Sequence, residues 1–164
     1  MVRSERSWAD VWLPIAAVVF VIGSVAAGLA SVSTAGEQSI NRSRDGLAIE
    51  GYDPVAYFAE GRAVEGRAEF EATVDGTKYH FVSAENRDRF NRSPADYMPQ
   101  YGGYCAYAVS RGYTAPVDPQ AWAIVEGKLY LNYSVRVRGT WQSDADNNIR
   151  KADANWPGLR DKKR

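Results

Sequence analysis

Two dipeptides, Asp75-Gly76 and Glu126-Gly127, constrain the fold of this chain more than any other feature of its sequence. A two-residue turn between antiparallel strands needs positive φ at both central residues, and Asp-Gly is among the pairs that adopt it at least cost. On either side of Asp75-Gly76, residues 67–74 and 77–82 alternate between apolar and polar, the period of a half-buried strand. In the second of these strands Tyr79 and Phe81 share the face expected to be buried, and Lys78, His80 and Val82 share the other. Asp118-Pro119 introduces a second hairpin, 121–125 and 128–133, turning at Glu126-Gly127.

Helix signals stand between and after the hairpins. Ser83 is an N-cap for 84–91, where Phe90 is placed to anchor the helix to the first hairpin. Ser93-Pro94-Ala95-Asp96 is a second start signal, and Pro99 with Gly102-Gly103 ends regular helix there. Further helices are expected over 134–141 and 144–155, with Trp156-Pro157 closing the domain. Upstream, 46–58 reads as a short strand and then a helical turn, which Asp53 caps and Pro54 begins. The expectation is α+β: a small single domain of two β-hairpins interleaved with short helices, preceded by a membrane-spanning helix. No internal repeat is visible along the chain.

That preceding segment, 11–32, carries no charge over 22 residues. A helix of ~20 residues crosses a bilayer core of ~30 Å, and Trp8 and Trp12 sit where indoles favour the membrane interface. The rival is a cleaved signal sequence, with Arg3 and Arg6 before an apolar stretch and Gly28-Leu29-Ala30 as the cleavage site. The length of the run favours an uncleaved anchor. Either way the folded part is expected in the periplasm, tethered to the inner membrane or released from it, with the membrane and an envelope protein as candidate partners. The layout is then 1–32 anchor or signal sequence, 33–44 polar linker, 45–157 domain and 158–164 basic tail.

Twenty Lys and Arg balance twenty Asp and Glu, so no overall field points to nucleic acid. The basic C-terminal run has no regular charged face and reads as a solvated tail. One cysteine, Cys105, and one histidine, His80, exclude an intramolecular disulfide, a Cys-x-x-Cys pair and a Cys-rich zinc cage.

Cys105 lies among Tyr101, Tyr104 and Tyr107. It reads as a thiolate ligand for a soft, copper-type ion with His80 as second donor, as a nucleophile with His80 as base, or as a small buried hydrophobe. Gly102-Gly103 lets the backbone approach a ligand closely, which with Tyr101 and Tyr104 makes a candidate ligand-binding segment; a tight turn is the alternative. Asp53, Asp118, Asp144 and Asp146 stand at candidate caps. No phosphate loop, Gly-x-Ser-x-Gly elbow or His-Glu-x-x-His occurs, and no residue set forms a catalytic site.

At Tyr79, Phe81, Ser83, Phe90, Pro94 and Tyr97 the chain resembles a YHS domain, a small module of metal-handling and multicomponent oxygenase proteins. The resemblance implies thiolate ligands at three positions, and here these hold Ala56, Val82 and Asn86, so the metal site it implies is dismantled. The blocks Gly51 to Phe58, Tyr101 to Ala106 and Gly127 to Tyr133 resemble a secreted or membrane-anchored bacterial branch of that family. The resemblance carries little function by itself; the anchor, the small domain and the lack of a catalytic constellation lead to the expectation of a non-enzymatic accessory or ligand-binding module, with a metal-binding protein using Cys105 or a Cys105-dependent enzyme as the alternatives.

Overall fold

The computed structural model describes residues 40–161; the expected anchor over 1–32, most of the linker and the end of the tail lie outside the described residues. Among the described residues no helix is long and apolar enough to cross a membrane. They form an α+β arrangement of two antiparallel hairpins and several helices.

Strands β1 (Arg67–Val74) and β2 (Thr77–Phe81) join through Asp75 and Gly76, at φ 48° and 71°. Both values are positive, as a type I′ turn requires. Tyr79 and Phe81 are buried, Lys78 is exposed and His80 half-buried, as alternation expects. Ser83 Oγ accepts from Asn86 N at 3.2 Å and starts α2 (Ala84–Arg92), preceded by the short α1 (Ala56–Ala59). Phe90 then packs its ring 4.8 Å from Tyr79 and 5.1 Å from Phe81. Helix α3 (Pro94–Tyr97) begins on Pro94, as expected, although the Ser93 side chain caps nothing.

Three local expectations are corrected. The strand expected near residue 46 is reduced to isolated bridges, Arg42 with Ala48 and Leu47 with Lys78. The chain then enters a left-handed turn, Ile49 and Glu50 both at φ 52°, instead of extending. A helix unforeseen after Gly103, α4 (Ala106–Ser110), follows Cys105. Finally α6 (Ala145–Arg160) runs through Pro157 rather than stopping at residue 155, and takes Gly158 to Arg160 out of the expected tail. A proline inside a helix costs ~3 kcal/mol. Trp156 and Leu159, on either side of it, pack against the buried Tyr101, Tyr130 and Trp141, and that packing outweighs the local preference.

The second hairpin, β3 (Asp118–Val125) and β4 (Lys128–Asn132), leads into α5 (Val135–Gln142). It shows that the chain does contain an internal repeat. Each strand begins and ends 51 positions after its counterpart in the first hairpin: Arg67 and Asp118, Val74 and Val125, Thr77 and Lys128, Phe81 and Asn132. The bulges fall at the same offset, between Arg67 and Glu71 and between Asp118 and Trp122. So do the caps, since Ser134 Oγ accepts from Val137 N at 3.2 Å. The aromatic pair is reproduced as well: Tyr130 and Trp141 lie 5.1 Å apart at 35°, Tyr79 and Phe90 4.8 Å apart at 40°. One position further in offset, the left-handed turn Ile49-Glu50-Gly51 returns as Tyr101-Gly102-Gly103, all at positive φ. Tyr52 N donates to Ile49 O and Tyr104 N to Tyr101 O, both at 3.0 Å.

The two units stack head to tail. Strand β4 is buried on both faces: Tyr130 packs in its own unit, while Leu129 and Leu131 join the cluster of Tyr57, Phe81 and Phe90 in the first. Trp122 on β3 meets the α1 residue Tyr57 at 5.3 Å. The counterparts of Trp122, Leu129 and Leu131 are Glu71, Lys78 and His80, which form a polar cluster instead. His80 Nε2 lies 3.3 Å and Lys78 Nζ 3.8 Å from Glu71 Oε2. The same strand face is therefore apolar where it is stacked and polar where, among the described residues, it ends the stack, the pattern of a capping repeat. At the other end α6 packs on α4, the counterpart of α1.

Candidate functional site

Cys105 is 1% exposed and fully engaged. Its N donates to Ala115 O at 3.0 Å, its Sγ accepts from Tyr133 N at 3.3 Å, and the thiol donates to Asn132 Oδ1 at 3.8 Å. Asn132 Oδ1 also takes the Tyr107 N–H at the start of α4, at 3.2 Å. In the first unit the same post is held by Asp53, whose N donates to Val64 O at 2.9 Å. Asp53 Oδ2 accepts from Val82 N, the counterpart of Tyr133, at 2.9 Å. Both residues tie a helix-starting turn to the end of a hairpin strand. Cys105 is thus the second unit's version of a structural latch.

Asp53 also engages the positions where the resemblance implies thiolates. Its Oδ1 accepts from Val55 N at 2.7 Å and Ala56 N at 3.2 Å, and its Oδ2 from Asn86 Nδ2 at 2.8 Å in addition to Val82 N. Three of these four donors belong to Ala56, Val82 and Asn86, the positions where the YHS resemblance implies thiolates. A carboxylate offers about four lone-pair directions. All four are spent on N–H groups, so a hydrogen-bond knot occupies the place implied for an ion.

His80 stands on the polar end face with Glu71 and shares no hydrogen bond with Cys105. The structure does not join the two as a ligand pair or as nucleophile and base. Among the described residues no group of three or more His, Cys, Asp and Glu is placed to hold a metal ion.

The Tyr101 to Tyr104 segment splits in two. Tyr101, at φ 54°, buries its ring against Tyr130 at 5.9 Å and Trp156 at 6.0 Å, and its hydroxyl donates to Asp153 Oδ1 at 2.8 Å. Tyr104 also packs on Trp156, at 6.2 Å. These two tyrosines hold α6. Gly102 and Gly103 instead line a mostly apolar cavity of about 190 Å³, walled by Ile49, Tyr79, Met98 and Trp156, with Arg160 also lining it. Gly103 sits at φ 77°, a conformation that favours glycine, and a Cβ there would stand 3.3 Å from Pro99 Cγ, a tight contact. Asn41 fixes this wall, its N donating to Gly102 O at 2.7 Å and its Nδ2 to Gly103 O at 3.1 Å. Ile49, Met98 and Trp156 carry no motif that marks them as site residues. They meet only because the repeat and α6 bring distant segments together.

The buried tyrosines make stability sensitive to alkali. Burial, with a smaller contribution from Asp75, pushes Tyr79 up to about 12 from the ordinary 10.0. Burial also raises Tyr57 and Tyr101, the latter helped by its hydrogen bond to Asp153. A phenol that holds its proton more tightly when folded contributes stability that is complete below its unfolded pKa and is lost as pH rises through the folded value. Urea midpoints are therefore expected to hold up to about pH 10 and to fall between about 10 and 12, with the phenolate absorbance of the buried tyrosines appearing alongside unfolding. Phenolate absorbance that rose fully near pH 10 in the still-folded protein would contradict this.

No family model matches the chain, and no curated protein or solved structure matches it.

Proposed function

We propose that this chain is a YHS-type module, tethered to the inner membrane and facing the periplasm, that acts as a non-enzymatic ligand-binding or accessory domain. The observation that carries the reading is the cavity at Gly102-Gly103. A left-handed glycine pair, pinned by Asn41, brings bare backbone to one wall while Tyr79, Met98 and Trp156 supply apolar surface. Binding sites combine largely apolar walls with a few placed polar groups. The burial of Cys105 and its engagement with Tyr133 and Asn132 support a packing role for the thiol over a nucleophilic one. The uncharged 11–32 run supports the tether, and the short ten-residue tail before it, of the kind that usually stays inside, supports the periplasmic side.

A chemically diverse fragment set, added to the full-length chain in lipid nanodiscs, tests this. Amide shifts at Gly102 and Gly103 and at the Trp156 indole N–H are expected for at least one ligand class. Alkylation of Cys105 is expected to be slow and to accelerate with urea, as for a thiol reached only by unfolding. Rapid alkylation of the folded protein, or turnover abolished by Cys105→Ser, would overturn the non-enzymatic reading.

A further inference from the structure

We propose that the cavity is the first unit's counterpart of the slot that Tyr101 fills in the second, and that its ligand is a monocyclic aromatic acid. The inference rests on the ligand-binding reading and gives it a chemical class. Three walls correspond by the repeat. Ile49 stands where the second unit has Tyr101, Tyr79 where it has Tyr130, and Met98 where it has Ile149.

In the second unit the Tyr101 ring lies against Tyr130 and Trp156, and its hydroxyl reaches Asp153 Oδ1 and, at 3.4 Å, Ile149 O. In the first unit Ile49 supplies no ring, and open volume of about 190 Å³ remains beside Tyr79. An apolar cavity of ~150 Å³ holds a benzene molecule, so the space suits a single ring with a small substituent. Trp156 serves both places, touching Tyr101 and lining the cavity.

The polar end is reversed between the two. The Tyr101 hydroxyl meets a carboxylate, Asp153; two helical turns along α6 the cavity is lined by Arg160, which carries a guanidinium. Arg160 holds Asp161 Oδ1 through Nε at 2.9 Å, with Nη2 at 3.5 Å from Oδ2. Nη1 lies outside that pair, and a guanidinium with five donors can take a second carboxylate. A ring bearing a carboxylate satisfies both the walls and the rim.

The test uses the full-length chain in lipid nanodiscs, titrated with 4-hydroxybenzoate, with cyclohexanecarboxylate and with toluene. Saturable shifts at Gly102, Gly103 and the Trp156 indole are expected with the aromatic acid, and about tenfold weaker binding with the saturated one. Ile49→Tyr places the second unit's ring in the first, at a φ that Tyr101 already adopts. It is expected to abolish binding without lowering the melting temperature. Arg160→Gln changes an exposed side chain and is expected to weaken 4-hydroxybenzoate about tenfold while sparing toluene. Equal binding of the two acids, or unchanged binding in both variants, would overturn the aromatic assignment. If other fragments still shift Gly102 and Gly103, that assignment alone falls; if none does, the ligand-binding reading falls with it.

Discussion

Asp53→Ala is expected to cost about 3–5 kcal/mol of unfolding free energy, the sum of several stranded donors at ~1–3 kcal/mol each, partly relieved by entering water. Asp53 is 0% exposed, and its two oxygens hold Val55 N, Ala56 N, Val82 N and Asn86 Nδ2. These donors come from the start of α1, the end of β2 and the first turn of α2, so one deletion loosens three elements at once. Domains are stable by only ~5–15 kcal/mol, and the loss is a large share of that. Asp53→Asn keeps the shape but turns an amide N–H toward donors, so it should be intermediate. Urea melts of both variants check this. A loss below about 1 kcal/mol in Asp53→Ala would mean that the four donors find other partners and that the knot is incidental.

The local features legible in the sequence are those with local causes. Asp75-Gly76 and Glu126-Gly127 placed both hairpins because positive φ at two successive residues is a property of the dipeptide. Ser83 capped α2 and Ser134 began α5 because an N-cap needs only its own hydroxyl and an N–H three residues on. Phe90 anchored its helix as alternation of Tyr79 and Phe81 required.

The repeat was not legible, although both hairpins, the helix caps that follow them and the left-handed turns obey it. The clearest surviving identities lie where backbone geometry, a cap or an inner packing position demands them, as in Gly76 and Gly127, Ser83 and Ser134, Tyr79 and Tyr130. Elsewhere each unit adapts to a different neighbour, Glu71 against Trp122 and His80 against Leu131, and identity is lost because the environment changed. Cys105 is a further case. Its tyrosine neighbours suggested a soft-metal site, but its role follows from Asp53, 52 positions upstream, and no spacing rule joins a carboxylate to a thiol. The cavity escaped for a third reason: Ile49, Met98 and Trp156 converge through long-range packing that leaves no trace in local composition.

Leu131→His and His80→Leu exchange one side chain between two equivalent strand positions, and their effects are expected to differ several-fold. Leu131 is 0% exposed and packs between the units with Tyr57 and Phe81. Its removal forfeits ~2–3 kcal/mol of apolar burial, and an unpartnered imidazole in its place adds ~1–3 kcal/mol, for a loss of about 4 kcal/mol. The cross-strand neighbour is Trp122, where His80 has Glu71, so the new imidazole finds no carboxylate to pair with. At position 80 the cost is small: the side chain is 17% exposed in an end face where Lys78 remains with Glu71, and the expected change is within about 1 kcal/mol. The consequence there is association rather than unfolding. Adding Lys78→Leu and Glu71→Trp to His80→Leu rebuilds, on the solvent side, the apolar face by which the second unit stacks on the first. Exposed patches of that kind drive self-association. Sedimentation velocity is expected to show the triple variant associating while wild type does not, and thermal melts to show Leu131→His as the unstable member of the pair. Equal destabilisation at the two positions would mean that the head-to-tail junction does not distinguish the stacked face from the free one.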